Sequence, residues 1–309
     1  MKNIVKILLV LGVIFMEKAL AKIDTCIISH KQEDKPLSYY IENLEKREKD
    51  LALPLGEEKE ILKQLSEFDL GKFLLKRKGL DGYWTSYIIN KGFGKNDLSS
   101  LENWILFKAP VVKATRERFG IFQTVSKKYL KDKAVLASIP CGLMDDLLTL
   151  DFDPILTLKF FGIDLDDGSL KLAKKNAKKH EKNLSIFLKR NAWDLNISEE
   201  FDLITSNGLN IYEPNEERVI NLYKEFFKAL KPKGILITSF LTPHMVWKNY
   251  NQEDLLKQKA IFSDIIQARW QVFRKEDEMR IHLEKAGFRV LEVLYDSQEM
   301  FPTIVAQKP

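Results

Sequence analysis

From residue 134 onward, short apolar runs alternate with segments of helical periodicity, and this rhythm limits the chain to very few architectures. The runs are AVLASI (134–139), FFGID (160–164), LSIFLK (184–189), FDLITS (201–206) and GILITSF (234–240). Helix-patterned GSLKLAKKNAKKH follows the second run, and NEERVINLYKEFFKAL follows the fourth. A helical stretch around 251–286 then leads to FRVLEVLY (288–295) and PTIVAQK (302–308). Strands separated by helices imply right-handed crossovers and a parallel sheet covered on both faces. Only a few residues join the last two runs. That gap is too short for a parallel crossover, so this pair is predicted to be antiparallel.

The front half reads differently. Residues 57–79 place Ile61, Leu62, Leu65, Phe68, Leu70, Phe73 and Leu74 at helical spacing, with Gly79 as a stop. LDGYWTSYII gathers Tyr83, Trp84 and Tyr87 on a turn and helix, and residues 101–130 are again helical, interrupted by Pro110 and Gly120. No strand is predicted before residue 134. The domain organisation expected is therefore an apolar segment over 1–21, a helical cap over 22–130 and an α/β unit over 131–309.

Residues 1–21, MKNIVKILLVLGVIFMEKALA, carry Lys2 and Lys6, then the apolar run Ile7–Phe15, then Ala19-Leu20-Ala21 at cleavage-like spacing. This is a signal-peptide pattern, and the run is shorter than the roughly 20 residues that a membrane span needs. Two other readings stand beside it. The chain starts at Met16, or the segment is an amphipathic or buried helix. No later segment is long and apolar enough to span a bilayer.

Charge and rare residues narrow the chemistry. The net charge is +5, and the surplus lies in residues 1–133, with 25 Lys and Arg against 18 Asp and Glu. Those lysines are interleaved with glutamates, as in IENLEKREKD, which reads as a solvated helix surface rather than a nucleic-acid-binding face. Cys26 and Cys141 cannot build a disulfide framework or a cysteine-rich zinc site, and the four histidines lack metal-ligand spacing, so no metal is expected.

Ligands of open α/β sheets bind beyond the carboxyl ends of the strands. After strand one comes Ser138-Ile139-Pro140-Cys141-Gly142, whose single glycine permits a sharp bend. A nicotinamide-dinucleotide fingerprint needs three glycines, and the following Asp145 and Asp146 would repel a phosphate. Strand two ends on Asp164, placed to accept hydrogen bonds from a ribose diol, and Asp166 or Asp167 is a natural helix cap. Strand three is followed by Asn191-Ala192-Trp193-Asp194, suited to an adenine edge, with Trp193 or Leu165 covering the ring; equally, it is a polar loop with one anchoring tryptophan. Asn207, Asn210 and Tyr212 follow strand four, and His244 follows strand five. Asn210, Tyr212 and His244 are the candidate catalytic groups, with His244 able to act as a general base.

Taken together, these elements resemble the class I S-adenosylmethionine-dependent methyltransferases over about residues 134–309. ASIPCG, GIDLD, NAWD, FDLITSNGL, LKPKG and the closing antiparallel pair carry the resemblance. It implies a Rossmann-like, mostly parallel seven-stranded sheet with an antiparallel C-terminal hairpin, under a helical N-terminal cap. It also implies a methyl-transfer enzyme using S-adenosyl-L-methionine on a small-molecule acceptor. By position, Ser138, Pro140, Cys141 and Gly142 would bind the cofactor, with Gly142 along its methionine portion. Asp164 would take the ribose hydroxyls, Asn191 with Ala192 would meet the adenine, which Trp193 or Leu165 would cover, and Asn207 would lie near the methyl group. The family's first loop usually reads acid-x-Gly-x-Gly, and this chain lacks its acid and its first glycine. Two alternatives follow: a non-enzymatic binding module on a degenerate scaffold, and an NAD-dependent oxidoreductase. Donor supply implies a cytoplasmic protein, and cleavage after Ala21 would imply an exported one.

Overall fold

The computed structural model describes residues 35–270 and 272–309. Cys26 and the signal-like segment Met1–Ala21 lie outside them.

Among the described residues six α-helices precede the sheet: α1 (Leu37–Glu45), α2 (Leu55–Leu65), α3 (Asp69–Arg77), α4 (Gly82–Ile89), α5 (Ser100–Phe107) and α6 (Pro110–Lys128). The single helix expected over 57–79 is two, because the chain turns at Ser66, whose hydroxyl donates to the Lys63 carbonyl. Pro110 opens α6 at its first turn, where the missing N–H costs nothing. Gly120 does not interrupt that helix; it lies on its exposed face.

The sheet follows with β1 (Val135–Ser138), β2 (Lys159–Asp164), β3 (Ser185–Lys189), β4 (Phe201–Ser206), β5 (Leu230–Ser239), β6 (Arg289–Leu294) and β7 (Thr303–Gln307). Their order is β3-β2-β1-β4-β5-β7-β6. β1 to β5 pair in parallel, and β7 is antiparallel to both neighbours. The seven-stranded sheet with a reversed last strand therefore agrees with the expected architecture. β5 begins earlier than its apolar run, at Leu230, which pairs with Phe201 across a register irregularity.

Helices α7 (Asp145–Leu148), α8 (Asp167–Lys179), α9 (Glu216–Ala229), α10 (Gln252–Lys259) and α11 (Glu276–Lys285) connect the strands. On one face of the sheet, Val219 and Phe226 of α9 and Met279 and Leu283 of α11 pack over Ile204 and Leu236. On the other face, Phe122 and Val125 of α6 and Ala173 of α8 pack over Leu136 and Ile237.

The stretch 251–286 is not one helix. After α10 a wide π turn, Ala260–Ile265, leaves the sheet side and inserts Ile261, Phe262, Ile265 and Ile266 among Leu62, Leu74 and Ile105 of the front helices. Asp264 fixes the insertion, accepting from the Ala52 N–H at 2.9 Å, while Arg47 donates to its carbonyl at 2.7 Å. The helical layer is thus built from two distant stretches of chain, and α6 runs from that layer (Val112) into the sheet's core (Phe122). Ile266→Ala should remove a fully buried side chain from the joint and cost about 2–5 kcal/mol in urea unfolding; a loss under about 0.5 kcal/mol would contradict this packing.

Candidate active site

β1 and β2 are in register from Val135↔Lys159 to Ser138↔Gly162, so their following loops emerge side by side. The β1 loop bends at Gly142, whose φ is +49°. Its N–H donates to Asp164 Oδ2 at 2.9 Å, and the Asp166 N–H donates to Asp164 Oδ1 at 3.0 Å. Asp164 therefore faces the bend, and each carboxylate oxygen keeps a lone pair for a further donor. Burial pushes the Asp164 carboxyl above its ordinary value, and the two N–H groups pull it back down. Asp166, not Asp164, caps α8, accepting from the Ser169 N–H.

The remaining residues of this end are anchored locally. Cys141 donates its N–H to the Ile163 carbonyl at 2.9 Å. Burial raises its thiol pKa, which leaves it un-ionised and chemically quiet. Pro140 and Leu165 are half-buried beside it. Asn191 accepts from the Trp193 N–H at 3.0 Å, closing its own loop around buried Ala192. The Trp193 indole donates to the Arg218 carbonyl at 2.9 Å, so the anchoring role holds for this tryptophan.

Ser138 is buried at the end of β1, and its hydroxyl lies 3.0 and 3.1 Å from the two oxygens of Asp146. Thr205 of β4 donates to the same carboxylate at 2.6 Å. Burial raises the Asp146 pKa to about 6 against these hydroxyl bonds. In the sequence Asp146 reads only as a charge that repels phosphate. Its contact with Ser138, eight residues back, is set by the turn of the loop and has no signature in spacing.

The candidate catalytic groups do not converge. Asn210 is 2% exposed and spends its amide on Tyr223 Oη (2.8 Å) and the Ser239 carbonyl (2.9 Å), so it braces the core. His244 is exposed and packs on the rings of Trp247 (4.2 Å) and Phe273 (4.7 Å). Desolvation and the Lys259 charge lower its pKa, which keeps the imidazole neutral at pH 7. Tyr212 borders a cavity of about 130 Å³ shared with Asn207, but burial drives its phenol up to about 12, so it is not ionised near neutral pH. The cavity lies between the β4 end and the helical layer, lined by Thr85 and Ile88 of α4, Arg118 of α6, Asn207, Phe262 and Phe301 among others. Tyr83 and Trp84 do not line it. They pack with Tyr87 and Phe93 as an aromatic cluster, with ring centroids 5.0–6.4 Å apart.

The helical layer sits directly on the bend. A β-carbon added to Gly82, at the start of α4, would come 2.6 Å from the Cα of Gly142 and 2.7 Å from Ser169 Oγ. Glycine is required there because two backbones meet.

A family model described as a methyltransferase domain matches residues 151–287. A solved protein from Bordetella parapertussis, described as a possible exported protein, is 36% identical with a TM-score of 0.83, over 88% of this chain and 95% of its own. Over residues 151–287 the chain is similar to the methyltransferase-domain family, and it shares the fold of S-adenosylmethionine-dependent methyltransferases. Magnesium protoporphyrin IX methyltransferase from Synechocystis PCC 6803, solved with bound SAH, shares the fold at 15% identity and a TM-score of 0.52, over 74% of this chain and 94% of its own. No curated protein matches. Ser138 thus lies against the carboxylate of Asp146, which comes from the next turn.

Asp146 has a measurable signature. Its folded pKa lies above the ordinary 3.8, so the folded state holds the proton more tightly. Stability should fall as pH rises from about 4 to about 6, by roughly 2–3 kcal/mol from this group. Asp146→Asn should flatten that slope by up to one proton in denaturation curves across this range. An unchanged slope would show that Asp146 is ionised throughout.

Proposed function

We propose that this chain transfers the methyl group of S-adenosyl-L-methionine to a small-molecule acceptor. The observation that carries this is the Asp164 carboxylate held against the Gly142 bend at the β1–β2 edge. The residues fit an adenosyl sulfonium. Asp164 retains acceptor capacity for the ribose hydroxyls, Gly142 offers backbone without a side chain, and Asn191 with Ala192 marks the adenine side. Asn207 Oδ1 is buried without a protein partner among the described residues, which suits a donor group of a bound molecule.

When bound, the donor supplies an already activated methyl group, so the protein's task is alignment and exclusion of water. Asp164 orients by accepting hydrogen bonds. The helical layer covers the strand ends and keeps water out, in the manner of a cap over residues 131–309. Because the Gly82 backbone rests on the Gly142 bend, α4 must draw back to admit a ligand there. No residue is assigned as a base, and none is needed where the acceptor atom carries a free lone pair.

Two readings of location stand side by side. Donor supply favours the cytoplasm. The relative described as a possible exported protein, together with the Met1–Ala21 pattern, favours export. No helix among the described residues is long and apolar enough to cross a membrane. N-terminal sequencing of the native protein separates a start at Met1 or Met16 from a mature Lys22.

Calorimetry tests the reading itself. S-adenosylhomocysteine should bind the full chain, and Asp164→Ala should weaken it at least about tenfold, since two charge-assisted bonds are lost. Asp164→Asn, which keeps the shape, should fall between the two. Absence of binding by either S-adenosylmethionine or its product would end the proposal.

A further inference from the structure

Arg118 is a buried cation that the fold does not satisfy. It is 8% exposed and carries five N–H donors. Its Nη1 reaches Ser239 Oγ at 3.4 Å, its guanidinium rests 4.5 Å from the centroid of Phe301, and its Nε has no hydrogen-bond partner. Among the described residues no carboxylate pairs with it. Asp296 lies near enough to favour the charge, but its oxygens accept the N–H groups of Gln298, Met300 and Phe301. Burying a cation without a partner is expensive, and the usual compensation is an anion.

The space beside Arg118 is the cavity of about 130 Å³ described above. Its walls are mostly apolar, from Leu74, Ile88, Phe262 and Phe301; Thr85, Thr115, Tyr212 and Asn207 add polar groups, and the Oδ1 of Asn207 has no partner. A β-carbon on Gly208 would lie 3.9 Å from Arg118 Nη1, so the guanidinium abuts the turn that follows β4.

We propose that this cavity is the acceptor subsite, and that the acceptor is a small, largely apolar molecule bearing a carboxylate that Arg118 grips. One guanidinium matches a monoanion, whereas a phosphate monoester would bring nearly two charges into a cavity with one cation. The donor's own amino-acid carboxylate has the same chemistry, but the placement argues against it. Ser239, the partner of Arg118, ends β5, which lies two strands from β1 in the sheet, about 10 Å from the Gly142 side. Naming the ligand an acceptor rests on the methyl-transfer reading; the anion site rests on Arg118 alone.

Benzoate and its neutral isostere benzamide are suitable probes, titrated into the full chain with and without S-adenosylhomocysteine. Benzoate should bind at least about tenfold more tightly than benzamide and should shift the Ile88 and Ile211 methyl resonances. Arg118→Gln should abolish the preference while leaving S-adenosylhomocysteine affinity within about twofold, and Arg118→Lys should restore part of it. The wild-type ratio and the methyl shifts decide the matter even if the variants do not fold. Equal binding of the two probes, or binding of neither, overturns the proposal. So does loss of S-adenosylhomocysteine binding in Arg118→Gln with benzoate binding intact, which would give the guanidinium to the donor. An Arg118-dependent benzoate preference in a protein that fails to bind S-adenosylhomocysteine would keep the anion site and remove the methyl-transfer reading.

Discussion

The hydrogen bond from the Gly142 N–H to Asp164 ties the first loop of the sheet to the end of the neighbouring strand, and the site is arranged around it. Parallel pairing of β1 with β2 brings the two loops out on one edge. Parallel register alone does not decide where a loop points. The carboxylate does, by holding the bend at Gly142 while a second oxygen takes the Asp166 amide. One side chain thus fixes two backbone segments and remains half-buried at the edge where a ligand would meet it. Desolvation of that carboxylate is the cost, and the N–H bonds offset it.

The same compromise recurs along the strand ends. Asp146 is buried between Ser138 and Thr205, and Arg118 is buried between Ser239 and Phe301. A sheet optimised for stability alone would fill these positions with apolar side chains. Asp146 is satisfied by hydroxyls and shapes the first loop. Arg118 is left with an unused donor beside a cavity. The difference separates a buried charge that holds structure from one that is aimed at a ligand.

The alternation of strands with helices and the antiparallel closing pair were legible because apolar runs and connection lengths leave few alternatives, as with the short link between the last two runs. Asp164 was legible because a carboxylate at a strand end has few structural uses there. Long-range events were not. The insertion of Ile261 and Phe262 among the front helices looked like helix continuation, since periodicity cannot reveal which core a helix face joins. Asn210 and His244 carried suitable chemistry in suitable loops. Yet one is spent on Tyr223 and the Ser239 carbonyl and the other packs on Trp247 and Phe273, and two of these partners lie 29 residues along the chain. Arg118 escaped notice because a lone arginine in a helix reads as surface until its burial is known.

The division of labour in the fold follows from these placements. The sheet's own loops, at the β1–β2 edge, supply the carboxylate and the glycine bend. The cavity at the β4–β5 edge is closed instead by the helical layer, through Ile88, Arg118 and Phe262. That layer draws on two stretches of chain, and α6 anchors it to the sheet through Phe122 and Val125. Its contact at Gly82 is with the Gly142 backbone and the Ser169 hydroxyl, while Tyr87 and Ile88 of the same helix are buried in the front core. α4 contributes both Gly82, at the bend, and Ile88, at the cavity, so one helix borders both ends of this strand edge.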